Sequence, residues 1–131
     1  MKVITINSGT AAGADGSATA NSTTNNPVFG EIYGVYVKYN DSPPGTTDVT
    51  IATDGTTSGA HPAATILSLT DANTNGWFYP RIGVQTTAGA AMLFAAGGTA
   101  VPGKIPTADF IKVTIAQANA GDSVDVWLLV D

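Results

Sequence analysis

The hydrophobic pattern is strongest in two places. Residues 28–54, VFGEIYGVYVKYNDSPPGTTDVTIATD, contain two runs rich in Val, Ile, Tyr and Thr, at 31–39 and 48–53. A segment of turn formers joins them, which predicts a β-hairpin with a long loop. Strand alternation in 31–39 puts Tyr33, Val35, Val37 and Tyr39 on one face and Ile32, Gly34, Tyr36 and Lys38 on the other. Both faces are largely apolar, so this strand belongs inside a two-layer structure. Residues 109–116, DFIKVTIA, and 123–130, SVDVWLLV, predict a second hairpin around the loop QANAGD. In it Ile111, Val113 and Ile115 alternate with Phe110, Lys112 and Thr114, and Val124, Val126, Leu128 and Val130 alternate with Asp125, Trp127 and Leu129.

The other segments fill in a sandwich. KVITIN at 2–7 alternates as a first strand. Residues 8–26 are all Gly, Ala, Ser, Thr, Asn or Asp. Such a segment is either a flexible arm or a peripheral strand of small residues, with 16–22 as a short strand within it. An apolar run at 64–69 follows the loop GTTSGAHPA, and GWFYPRIGVQ at 76–85 sets three aromatics before Pro80. That proline marks an edge, a bulge or a strand break. Alternation sends Phe78 opposite to Trp77 and Tyr79, so at least one of the three rings faces outward. The alanine-rich stretch at 88–96 is short and flanked by glycines, which favours strand or loop over helix. With about eight strands, regular turns and no good helix, the chain reads as all-β: one antiparallel β-sandwich domain over residues 1–131. The expected core is Val35, Val37, Ile51, Ile66, Leu69, Ile82, Ile111, Val113, Val126 and Leu128.

Composition narrows the classes of function. Charged residues make up 11% of the 131 residues, against about 25% in an average protein. The net charge of -5 and the scatter of the five basic residues argue against nucleic acid as a partner. There is no cysteine for disulfides or thiolate metal sites. MKVITINSGT lacks the apolar core of a signal peptide, and no stretch approaches a membrane helix in length, so a soluble protein is expected.

Candidate chemistry is sparse. His61, the single histidine, lies near Ser58, yet no serine has a nucleophile-elbow pattern, and a loop histidine before proline is the simpler reading. DANTNG at 71–76 matches the first half of a calcium loop, but the twelfth position is Ile82 where a bidentate Glu belongs, so an ordinary turn is expected. Glu31 is the lone glutamate, and Asp41, Asp48, Asp54, Asp71, Asp109 and Asp122 fall at strand ends and turns. Neither a metal nor a cofactor is expected, and a small-molecule pocket is not indicated. Tyr36, Trp77 and Tyr79 are the residues that would form a sugar-stacking platform if exposed together.

The layout as a whole adds one more indication. A small-residue N-terminal segment is followed by the GEIYGVYVKY…TTDVTIATDG pair, then WFYPR, then a Pro/Gly loop and the ending GDSVDVWLLVD. This texture resembles the small decoration, or cement, proteins and minor structural proteins of tailed-bacteriophage heads. The resemblance implies a jelly-roll or related β-sandwich that sits on the head surface, commonly as a homotrimer. It also implies that the protein clamps the major capsid protein without catalysis, after synthesis in the host cytoplasm. It carries no motif residues. The apolar surplus of the sequence supplies interface candidates instead: Trp77, Phe78, Tyr79, Met92 and Phe94, with Phe78 and Phe94 as anchors. The alternatives are a carbohydrate-binding β-sandwich, such as a receptor-binding or accessory domain, and a small hydrolase built around His61.

Overall fold

A computed structural model describes residues 1–55 and 62–131, and their regular structure is all strand. In chain order the strands are β1 (Lys2–Asn7), β2 (Ala18–Thr23), β3 (Val28–Asn40), β4 (Asp48–Thr53), β5 (Thr65–Leu69), β6 (Gly76–Phe78), β7 (Ile82–Gly83), β8 (Pro102–Gly103), β9 (Ile105–Asp109), β10 (Ile111–Ala118) and β11 (Ser123–Val130). One sheet runs β1-β11-β3-β6, with β9 also paired to β3, and the other runs β2-β10-β4-β5. All of these pairings are antiparallel. β7 and β8 pair with each other, outside both sheets.

The inner faces of the two sheets make one core. Ile32, Val35, Val37, Val124, Val126, Leu128 and Val130 come from the first sheet, and Val49, Ile51, Ile111, Val113 and Ile115 from the second; all have no solvent exposure. Most of the expected core residues are therefore in place, with Ile66 buried and Leu69 half-buried. Ile82 is a correction: it is 46% exposed, because Pro80 ends the strand that would have carried it inward.

Neither expected hairpin forms. β3 and β4 lie in different sheets, as do β10 and β11, so each pair arches over the core and faces its partner across it. The reason is physical. Each of these strands has an apolar inner face, and facing strands bury both sets of side chains, whereas a hairpin would lay them side by side. The connections suit an arch: Pro43 and Pro44 follow Asp41 and Ser42, which have positive φ, and Gln117 and Gly121 are also left-handed. Within residues 8–26 the strand β2 covers Ala18–Thr23. β2 pairs with β10, Ala11 and Ala18 are buried, and the Ser8 hydroxyl accepts a bond from Val124 N at 3.0 Å. Small side chains let this segment lie close against 119–124, where Ala11 N donates to Asp122 O and Gly121 N to Ala11 O.

β3 departs from simple alternation. It pairs with β11 so that Gly34 faces Leu129 while Ile32 faces Val130, which leaves Tyr33 as an extra residue. A bulge of this kind reverses the in-out order along a strand. Ile32 and Val35 consequently both face the core, and Tyr33 turns outward, where uninterrupted alternation had the opposite for Ile32 and Tyr33. Along its other edge β3 pairs first with β9 and then with β6, and the gap between them falls at the bulge. Arg81 fills that gap by donating from Nη1 to Tyr33 O at 2.9 Å and to Pro80 O at 2.8 Å. β9 was not apparent in the sequence, since Pro106 interrupts it; proline is tolerated there because β9 is an edge strand.

Two expectations follow for stability. Leu128→Ala and Ile51→Ala should each cost about 2–5 kcal/mol in chemical denaturation; unchanged midpoints for both would contradict the core described here. Gly30 has φ 135°, and a Cβ there would overlap the backbone oxygen of Asp131, which exchanges hydrogen bonds with Glu31. Gly45 has open space around it. Gly30→Ala should therefore lower the melting temperature clearly and Gly45→Ala should not.

Candidate functional site

The outward face of the first sheet carries a continuous group of aromatic rings. Trp127 of β11, Tyr36 of β3 and Trp77 of β6 stand in register on adjacent strands. Their ring centroids are 5.7 Å apart for Tyr36–Trp127 and 5.2 Å for Tyr36–Trp77, with the ring planes tilted by 58° and 51°, so the row is twisted and not flat. Tyr79, just past β6, lies nearly parallel to Trp77, at 14° and 6.3 Å. Its ring covers Gly34: a Cβ on that glycine would come within 3.1 Å of Tyr79 Cε1. Tyr33, turned outward by the bulge, meets Tyr79 edge-on at 6.1 Å. The Arg81 guanidinium and the Lys104 ammonium lie 5.7 Å and 5.8 Å from the Tyr33 ring centroid, as cation–π contacts. Trp77 and Tyr79 are 49% and 55% exposed.

One end of this aromatic row has a polar border. Asp125, two residues before Trp127 on the same face of β11, accepts from Asn7 Nδ2 at 2.7 Å and from Asn40 Nδ2 at 3.1 Å. Asn40 Nδ2 also donates to Ser123 Oγ at 3.2 Å, and Asn7 Oδ1 accepts from Gly9 N at 2.7 Å. The Asn7 hydrogen bond is the main cause that holds the Asp125 carboxyl below its ordinary pKa, helped by Asn40 and the charge of Lys38, with partial burial opposing. At the other end Lys104 donates to Asp131 at 2.5 Å, with Glu31 at 3.9 Å. That bond is the largest cause raising the Lys104 pKa and lowering that of Asp131.

A second feature leaves the sheet at the bulge. Between β6 and β9 the chain makes an excursion, residues 82–103, held by its own backbone bonds: Val84 N to Val101 O, Met92 N to Val84 O and Val101 N to Met92 O, each 2.9 Å. It has no apolar centre. Ile82, Met92 and Leu93 are exposed and Phe94 is 71% exposed. IGVQTTAGAAMLFAAGGTAVPG contains no Asp, Glu, Lys, Arg or His. An open groove of about 650 Å³ separates the base of this arm, at Ile82, Val84 and Gly103, from Glu31 and Pro106.

The interface candidates thus divide between two places. Trp77 and Tyr79 join the aromatic row, and Met92 and Phe94 sit on the arm. Phe78 faces the other way, half-buried against the core, so its ring serves packing and not an outward anchor. His61 and Ser58 lie outside the described residues. In 71–76, Asn75 Oδ1 accepts from Tyr39 N at 2.8 Å and Asn73 Nδ2 donates to Pro43 O at 3.0 Å, so both side chains hold the turn. Asp109 is buried and accepts from Phe110 N at 2.8 Å and Gly55 N at 2.5 Å, bracing two chain ends of the core. Among the described residues no three His, Cys, Asp or Glu side chains gather as a metal site. Sequence reasoning missed Trp127, Tyr33 and the Asn7–Asp125–Asn40 group as site residues. Trp127 and Asp125 were legible as one strand face, but the register that sets them beside Tyr36 and Asn7 was not. Comparisons with protein-family models, with curated proteins and with solved structures find no match for this chain.

The Asp125 network makes a pH prediction. The folded state keeps this carboxylate ionised to lower pH than the unfolded chain does. Its contribution to stability is therefore whole above the ordinary carboxylate range and fades as pH falls through the lowered folded pKa. Asp125→Asn should flatten the acid limb of a stability-versus-pH curve. An unaltered acid limb would show that the network adds nothing.

Proposed function

We propose that this chain is a virion structural protein that binds the outer surface of a tailed-phage head as a homo-oligomer and stabilises it. The observation that carries the reading is the 82–103 arm. It exposes Ile82, Met92, Leu93 and Phe94 without any core beneath them. Large exposed apolar groups of this kind mark interaction surfaces, and covering each such side chain fully is worth about 1.5–3 kcal/mol. A lattice-binding role asks for a rigid body with a protruding apolar contact, which a two-sheet core with such an arm provides. The sequence layout, similar to decoration proteins, supplies the major capsid protein as partner and a trimer as the oligomer. The strand order β1-β11-β3-β6 against β2-β10-β4-β5 supports reading the sandwich as a jelly roll, the architecture that resemblance implies.

Because the arm holds no ionisable group, contacts made through it should persist in high salt, where charge-held complexes weaken. The test is the double variant Met92→Ser with Phe94→Ser. Both residues lie outside the core, so the circular dichroism spectrum and melting temperature should stay close to the parent's. Sedimentation should then show a monomer, and cosedimentation with phage heads should fall at least tenfold. A folded variant that keeps the parent's oligomer and head binding would refute the assignment.

A further inference from the structure

We infer that the outward face of the first sheet binds a neutral polysaccharide of β-1,4-linked hexoses, with the sugar rings on the Trp127–Tyr36–Trp77 row and their hydroxyls on Asp125 and its amide partners. Three observations combine here. First, pyranose rings present apolar C–H faces that stack on aromatic rings, and this row carries rings on three neighbouring strands, extended by Tyr79; successive planes turn by 58° and 51°, which offers each sugar of a twisted chain its own ring. Second, the spacing fits a chain and not a single sugar. Trp127 and Trp77 stand two strands apart, roughly 9–10 Å by ordinary inter-strand spacing, which is the advance of two residues in an extended β-1,4-linked chain, and Tyr36 lies between them. Third, the row ends at a polar group suited to hydroxyls. Asp125 accepts one bond on each oxygen, from Asn7 and from Asn40, and a carboxylate offers about four acceptor positions. Acceptor capacity therefore remains on a carboxylate that shares the outward face of β11 with Trp127, and the Asn bonds hold it in place and ionised.

Charge selects the kind of sugar. The ionised Asp125 and the net charge of -5 disfavour an anionic polymer. Of the cations on this face, Lys38 stands opposite Asp125 in the strand register and its charge is offset there, Arg81 donates to the Tyr33 and Pro80 carbonyls, and Lys104 is paired with Asp131. The face is open, as a site for a long polymer must be, in contrast to the enclosed pocket of a small-molecule site.

This inference does not rest on the arm or on binding to a phage head. Affinity electrophoresis in gels containing hydroxyethylcellulose or glucomannan, with dextran as the α-linked control, gives a first readout. A tryptophan fluorescence titration with cellohexaose gives a second. The parent should be retarded by the β-1,4 polymers and not by dextran, and its fluorescence should saturate with cellohexaose. Trp77→Ala and Tyr36→Ala should each weaken binding at least tenfold and Asp125→Ala several-fold, while Met92→Ser with Phe94→Ser should bind sugar like the parent. Absence of retardation by both polymers and of any fluorescence change at millimolar cellohexaose would overturn the inference. So would a folded Trp77→Ala protein that binds as well as the parent. If Trp77→Ala instead lost head binding with no sugar binding in the parent, the face would be a protein contact and the sugar site would be refuted.

Discussion

The contact between the inner faces of β3 and β11 and those of β10 and β4 is the constraint from which the rest of the structure follows. These strands supply nearly all of the large side chains with no exposure, and each belongs to a sheet whose other face meets solvent. Burying both sets at once requires consecutive strands to cross from sheet to sheet. The turns at 41–47 and 117–122 therefore arch over the core, and the runs they join meet face to face. The small residues of 8–26 answer to the same constraint, because a strand edge and strap packed close to residues 119–124 has no room for larger side chains.

The bulge at Tyr33 connects this core to both candidate surfaces. Without the extra residue, Ile32 and Val35 could not both point inward, and the first half of β3 would turn its apolar side chains to solvent. With it, Tyr33 is expelled onto the outer face, Gly34 leaves space that Tyr79 covers, and the edge of β3 is divided between β9 and β6. The division leaves an interval in the sheet edge. From that interval the 82–103 arm departs, and Arg81 satisfies the Tyr33 carbonyl that pairing would otherwise have served. One inserted residue thus serves the core, helps assemble the aromatic row and marks the place where the chain can leave the sheet.

Much of this was legible in the sequence, and what was missed has a common cause. The strand runs 2–7, 48–53 and 123–130 coincide with β1, β4 and β11 because each sets Val, Ile or Leu at every second position of one face within a short run bounded by turn residues, which is the strand period. Strand partners were not legible. Neighbouring runs joined by Pro, Gly and Asp look alike whether they form a hairpin or an arch, since the same turn residues serve both. Pro106 concealed β9, although Ile105, Thr107 and Asp109 are buried in alternation. The aromatic row was visible only in fragments, as Tyr36, Trp77 and Tyr79. Trp127 and Asp125 join them through cross-strand register, which a single strand's pattern does not contain.

The two surfaces also differ in what they can recognise, and the difference lies in their polar groups. The arm has apolar and small side chains with no ionisable partner, so it gains from excluding water and has little means of choosing among ligands by hydrogen bonding. Such a surface can choose a partner only by complementary shape. The aromatic row has Asp125, Asn7 and Asn40 fixed at its border by bonds of 2.7 and 3.1 Å. Fixed polar groups beside stacked rings discriminate by direction, because a ligand that fails to meet them leaves a carboxylate partly desolvated without compensation. The proposed protein contact through the arm and the proposed sugar contact through the sheet face therefore rest on separate groups of side chains, and substitutions on one should leave the other intact.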